Sequence, residues 1–402
     1  MLGVESYKKK YKIWFYAFLL SNLLMAGVVI VINPYRLFPV TVKIKGINDI
    51  KPKLYPFQQY IKLFDIAHQK PKTILLGSSR ILWGVDPQSP ILQQKNYTPV
   101  YNAGILGPSM ILIRQYFDHA LFSQPDLKRV ILGIEYVGFN KEYDNKPNLH
   151  ESYAKSEKEL LAIHYKMAFD LKASFLTVAS SIRQKHDKTL REDGRLTPAP
   201  LEEPDLYQDF FQPVKEKKSV VDVVSNKPTE LTQTSKPSAI HLNEKQTLLT
   251  EKKPKPPQMR DVLYGNFQLS QLEMDAFHYI VQTCKERNIE LYVFFTPAYN
   301  LSEIQAFHRL GLWENYKFFL KQLVSIYPFW SFVSWNKITS DKNNYVDGSH
   351  FVFSVGDMIL KKMFAVKDDA IPENFGRYIT QKNVHHFMQN LELEYQASIK
   401  NA

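Results

Sequence analysis

Hydrophobic positions along the chain fall into three regimes. From Ile13 to Ile32 the run IWFYAFLLSNLLMAGVVIVI is apolar on every helical face and carries no charge. From about residue 57 onward, short apolar runs alternate with stretches of helical period. The runs are Thr73–Leu76, Pro99–Asn102, Arg129–Glu135, Glu290–Thr296 and Trp330–Trp335. The helical stretches are Phe57–His68, Ser109–Phe122, Glu157–Gln184, Leu269–Arg287, Leu301–Ile326 and Ser354–Phe364, with a terminal helix over Asn383–Glu394. The third regime, 186–259, is dense in Lys, Glu, Pro, Thr and Ser and has no period.

Strands alternating with helices predict an α/β fold, a parallel sheet covered on both faces in three α/β/α layers. One N-terminal transmembrane helix precedes it. The expected divisions are a basic tail (1–12), an anchor (13–32) and a juxtamembrane linker and helix (33–70). Two halves of one α/β unit follow (71–185 and 260–368), separated by a flexible insertion (186–259), and a C-terminal helix (369–402) ends the chain. The insertion reads either as a plain flexible segment or as a tether along the cell wall. About 20 apolar residues suffice for one bilayer crossing. The run is longer than a signal-peptide core of about 7–15 residues, and no small-x-small site follows it. Lys8, Lys9, Lys10 and Lys12 precede it, which predicts a cytoplasmic N-terminus and an extracytoplasmic main domain.

Charge changes this picture little. The formal net charge is +11, yet the basic residues are dispersed and no nucleic-acid-binding module is visible, so no nucleic-acid partner is expected. A single cysteine, Cys284, excludes an internal disulfide and a cysteine-rich metal site, and it reads as a small buried residue. His385 and His386 are adjacent on a helix and point to different faces, so no metal site is expected there.

Candidate chemistry lies where strands end. The first sheet strand stops at Gly77-Ser78-Ser79-Arg80, which places a hydroxyl on a tight turn at the carboxyl edge of the sheet. The second is followed by Asn102-Ala-Gly104-Ile-Leu-Gly107, whose glycines let backbone N–H groups approach a ligand. After the fifth comes Asp347-Gly-Ser-His350, a carboxylate able to orient an imidazole. Each motif alone is ordinary turn chemistry. Together, on one edge, they predict a nucleophile system of Ser79, His350 and Asp347. Arg80 stands beside the serine, either to pair with an anionic substrate or to make a structural salt bridge.

These three blocks resemble the first, second and last blocks of the SGNH (GDSL-type) hydrolase superfamily over about residues 70–140 and 285–365. The resemblance implies a flavodoxin-like three-layer fold, with Ser79 as nucleophile, Asp347 as acid and His350 as base. It also implies an oxyanion hole from Ser79 and Gly107. Ser78 stands where the usual block has Asp. The third block, Gly-x-Asn-Asp, departs: the third strand runs Gly133-Ile-Glu-Tyr-Val-Gly-Phe-Asn140. Asn140 is the nearest candidate oxyanion donor, with Glu135 or Tyr136 as occupants of that place instead. With its N-terminal anchor, the chain is similar to divergent bacterial envelope members such as the D-alanyl transfer protein and the alginate acetylation proteins.

The implied function is a serine esterase or O-acyltransferase on ester groups of cell-envelope glycans. It would sit in the bacterial cytoplasmic membrane with its main domain in the periplasm. It would need no cofactor and would partner a membrane-bound acyltransferase. The alternative is a catalytically inactive binding or assembly module of surface-polysaccharide or secretion machinery.

Overall fold

The computed structural model describes residues 2–38, 42–107, 109–143, 157–168, 170–185, 188–197 and 263–400. Helix α1 (Leu2–Ile32) leads into α2 (Gln58–Gln69) and strand β1 (Thr73–Leu76). Then come α3 (Ser79–Gly84), β2 (Val100–Asn102), α4 (Met110–Ser123) and β3 (Arg129–Ile134). Two helices, α5 (Glu157–Ala168) and α6 (Leu171–Arg183), and a small hairpin, β4 (Thr189–Leu190) with β5 (Leu196–Thr197), follow. The second half holds α7 (Gln271–Glu286), β6 (Glu290–Phe295), α8 (Ser302–Arg309), α9 (Trp313–Ile326) and β7 (Phe329–Ser331). It closes with α10 (Phe353–Met363), β8 (Arg377–Ile379) and α11 (Val384–Lys400).

The main sheet has six strands in the order β2-β1-β3-β6-β7-β8. The first five are mutually parallel, and β8 joins the edge antiparallel to β7. Every residue of β1, β2 and β3 is buried, which is why they read as unbroken apolar runs. Successive side chains point to opposite faces of a strand. Ile74 and Leu76 accordingly enter one apolar cluster with α4 and α7, while Leu75 enters another with α10. The register pairs Leu75 with Asn102 and Leu76 with Leu132, so the carboxyl ends of β2, β1 and β3 finish side by side.

A strand lies at each of the five predicted places, although the last is three residues, Phe329–Ser331, in place of Trp330–Trp335, and four further findings correct the sequence expectations. The stretch Leu301–Ile326 is two helices, because Gly311 between them takes a left-handed φ of +70°. Glu157–Gln184 is likewise two, the second capped by Asp170, whose side chain accepts from the Ala173 N–H. The C-terminal segment contributes β8 as well as a helix. The expected insertion does not begin at 186: Leu190 and Leu196 are buried in a cluster with Tyr35, Leu37 and Trp83. The hairpin covers the open edge of β2, where the Asn102 N–H donates to Asp193 O at 2.8 Å. The remainder of that insertion, from 198 to 259, lies outside the described residues.

Among the described residues, one helix is long and apolar enough to cross a membrane, over Lys10–Ile32.

Candidate active site

Strand order reverses around β1, with β2 on one side and β3 on the other. In open α/β sheets ligands bind beyond the carboxyl ends of strands at such a point. Gly77 makes the turn there at φ +146°, and a Cβ on it would fall 2.7 Å from Gly133 O and 2.4 Å from Ile81 Cγ1. The chain then enters α3 with Ser78 as cap, its side chain accepting from the Arg80 N–H at 3.1 Å. Ser79 is thus the first helical residue, where a backbone N–H has no helical acceptor. Asn102, fully buried, fixes this helix to β2: its Nδ2 donates to Ile81 O and Val85 O, both at 2.8 Å.

Asp347-Gly-Ser-His350 folds on itself. Asp347 Oδ1 accepts from the N–H groups of Ser349 at 2.6 Å and His350 at 2.8 Å, an Asx-type turn. That leaves Oδ2 facing the imidazole, 2.7 Å from His350 Nδ1. The other ring nitrogen, Nε2, lies 2.7 Å from Ser79 Oγ. A carboxylate only accepts, so Nδ1 donates to Asp347 and Nε2 accepts the Ser79 hydroxyl proton. Burial alone would raise the Asp347 carboxyl. The hydrogen bond and charge of His350, with the two backbone N–H groups, overcome it and hold the carboxyl well below the usual carboxylate range. The loop is itself held from outside, because Gly348 O accepts from Tyr299 N and Ser302 Oγ, each at 3.2 Å.

Two positions far apart in sequence, 79 and 350, therefore form one hydroxyl–imidazole–carboxylate chain. It opens into a cavity of about 370 Å³. Gly107, at φ +54°, and Leu106 lie on its rim, and Met110, Ile113, Ile134, Val137 and Leu263 give it apolar walls. Trp83 was not singled out in the sequence. Its ring lies 4.1 Å from the His350 ring, tilted by 30°. The signal was available: Trp83 is four residues after Ser79 on one helix, hence on the same face.

Arg80 takes one of its two expected roles, and the role expected of Asn140 is corrected. Arg80 is 4% exposed and fully engaged inside the protein. Its guanidinium bonds Glu303, sits 3.4 Å from Glu135 Oε2 and donates to Thr296 Oγ1 at 2.9 Å. These bonds make the structural salt bridge that is one of its two expected roles, and the residue also borders the cavity. Burial works against its charge, but Glu135 and Glu303 outweigh that and stabilise the cation. Asn140 is also buried, and its Oδ1 accepts from the N–H groups of Glu142 and Gln268, both at 3.3 Å. It pins the chain after β3 to the segment before α7 and does not line the cavity. Of the other two candidates, Tyr136 packs among Phe267, Phe319 and Tyr316. Glu135 does line the cavity, where it accepts from Ser78 Oγ.

Among the described residues, no group of three or more His, Cys, Asp or Glu side chains is placed to hold a metal ion. The His385–His386 pair lies on α11, with the His386 ring 3.1 Å from Asn390 Nδ2. No protein-family model matches the chain, and no curated protein matches it.

Proposed function

We propose that the chain is a membrane-anchored serine acyl hydrolase or acyltransferase of the SGNH type, with that superfamily's three-layer fold, acting on ester groups of cell-envelope glycans. The observation carrying this reading is the pair of 2.7 Å contacts that link Ser79 Oγ to His350 Nε2 and His350 Nδ1 to Asp347. Ser79 Oγ attacks the ester carbonyl and its proton passes to Nε2. Asp347 holds the ring in the correct tautomer and stabilises the imidazolium. The N–H groups of Ser79 and Gly107 face the tetrahedral oxyanion. Collapse expels the alcohol, which leaves with the Nε2 proton, and an acyl-Ser79 ester remains. A second hydroxyl then attacks the acyl carbon and gives its proton to Nε2; collapse breaks the bond to Ser79 Oγ, which takes that proton back from Nε2. Water in that step makes a hydrolase; a sugar hydroxyl, or one delivered with a membrane-bound acyltransferase partner, makes a transferase.

The apolar helix and the lysines before it support an anchor in the cytoplasmic membrane of a bacterium, N-terminus inside and catalytic body outside. A phosphatase fused after Phe38 should be active in the periplasm, and an inactive fusion would overturn that topology. The competing reading, a non-catalytic module, draws on one observation: among the described residues that line the cavity there is no asparagine donor like that of the superfamily's third block, and Glu135 supplies an acceptor there. Turnover of a small chromogenic ester separates the two. Loss by a factor of roughly 10³ or more in Ser79→Ala and His350→Ala is expected of the enzyme. Turnover undiminished in Ser79→Ala removes the serine from the mechanism. Wild-type protein that binds acylated glycan yet turns over no ester establishes the module.

A further inference from the structure

Helix α6 is amphipathic in the wrong sense for a helix facing water. Its buried positions are Ala173, Ser174, Thr177 and Ser181, all small or polar. Its large apolar residues point outward: Leu171 is 52% exposed, Phe175 73% and Ile182 68%. These fall four and seven residues apart, one continuous helical stripe. The inward face is fixed by its own bonds. Ser174 Oγ donates to Asp170 O at 3.2 Å, and Ser181 Oγ accepts from Ile50 N at 3.1 Å. Helix α5 adds Leu161, 65% exposed.

This apolar surface adjoins α1. Helix α6 packs against α1, and an apolar groove between α1 and α5 is lined by Ala26, Val29 and Ile30 on one side and Leu161 and Ala168 on the other. The chain after α1 is bound back to its end: Asn48 Nδ2 donates to Val31 O at 2.7 Å and Lys51 Nζ to Ile32 O at 2.8 Å. That segment exposes Val42, Ile44 and Ile47 and interleaves them with Lys43 and Lys45. At 1.5 Å per residue, Ala26 to Ile32 spans about 9 Å of α1. Helices lying in a membrane interface bury their apolar face by about 5–10 Å. The charge also matches. From the start of α5 to residue 185, Lys158, Lys166, Lys172, Arg183 and Lys185 stand against Glu157, Glu159 and Asp170, the last of which already accepts from Tyr35, and Lys43 and Lys45 of the 42–47 turn add to the basic excess.

We propose that α5, α6 and the 42–47 turn lie in the interface of the bilayer that α1 crosses, the apolar stripe among acyl chains and the basic residues against anionic phospholipid headgroups. The proposal rests on the reading of α1 as a membrane span. It gives the catalytic body a fixed pose rather than a swinging tether. Met167 and Ala173 of this pair share one apolar cluster with Trp83, whose ring lies against His350, so the docked helices and the site form one packed unit.

Single cysteines carrying spin labels test it in the full chain, in a Cys284→Ser background, reconstituted in phosphatidylcholine–phosphatidylglycerol vesicles. Phe175→Cys and Ile182→Cys report on the stripe and, being exposed, spare the packed face. Leu20→Cys reports on α1, and Gln282→Cys, exposed on α7, reports on water. Collision with oxygen should exceed collision with a water-soluble nickel chelate at 175 and 182, as at 20, with the reverse at 282. Labels should move shallower when phosphatidylglycerol is omitted. Nickel-favoured labels at 175 and 182 beside an oxygen-favoured label at 20 overturn the docking while the span stands. A nickel-favoured label at 20 removes the span itself, and the docking with it. Shielding of 175 and 182 from both reagents means that protein covers the stripe, a segment of this chain or a second copy, and also overturns it. Depth unchanged without phosphatidylglycerol removes the anionic headgroups from the proposal.

Discussion

Replacing Arg80 with methionine should destabilise the protein far more than it alters any substrate contact. Arg80 is 4% exposed and its guanidinium lies between Glu135 and Glu303, a group of one net negative charge beside the Ser78–Ser79 turn. At 3.4 Å from Glu135, with an effective dielectric of ~20, the attraction is about 5 kcal/mol before desolvation. Methionine keeps the volume and strands two buried carboxylates, and breaking a buried pair in this way costs about 3–5 kcal/mol. Glu303→Gln should cost less, about 1–3 kcal/mol, because Arg80 keeps Glu135 and the amide still accepts a hydrogen bond. Urea unfolding in detergent micelles, followed by tryptophan fluorescence, reads both. A loss below about 1 kcal/mol would refute the reasoning.

Three further outcomes follow from the same geometry. Asp347, with its carboxyl held low, contributes stability that is present above an unfolded value of about 3.9 and lost as pH falls below it towards the folded value; acid unfolding curves should therefore be flatter below about pH 4 for Asp347→Asn than for wild type. Trp83→Ala removes the ring that lies against His350 and should cost about 3–5 kcal/mol, while Trp83→Phe should retain most of the proposed ester turnover, a contrast read by unfolding midpoints beside kinetics. A Cβ on Gly356 would lie 1.8 Å from Gly84 O, backbone that cannot step aside, so Gly356→Ala should lower the unfolding free energy by at least about 1–3 kcal/mol.

Much of the parallel sheet was legible because its strands are buried on both faces. Runs such as Thr73–Leu76 and Arg129–Ile134 carry no polar interruption beyond their first residue, and they stop at glycine or a charged residue where the edge begins. The Asp347–His350 motif was legible for a related reason: Asp347 folds onto its own neighbours, so the motif is local even though its partner is distant. Strand β8 has three residues and β4 and β5 two each, too short to show a period. The choice between the two roles of Arg80, and the role of Asn140, could not be made from sequence because their partners decide them. Arg80 meets Glu303 across 223 positions, and Asn140 meets Gln268 across 128. Nothing near either residue announces a tertiary partner at that range.

Reaction of the full chain with a fluorophosphonate, followed by peptide mapping of the adduct, tests the central claim most directly. Ser78 and Ser79 lie side by side, but Ser78 Oγ is bonded to Glu135 while Ser79 Oγ is bonded to an imidazole base. The account predicts an adduct on Ser79 alone, absent in Ser79→Ala although Ser78 is retained, and strongly slowed in His350→Ala. An adduct on Ser78, or labelling undiminished in both variants, would contradict it.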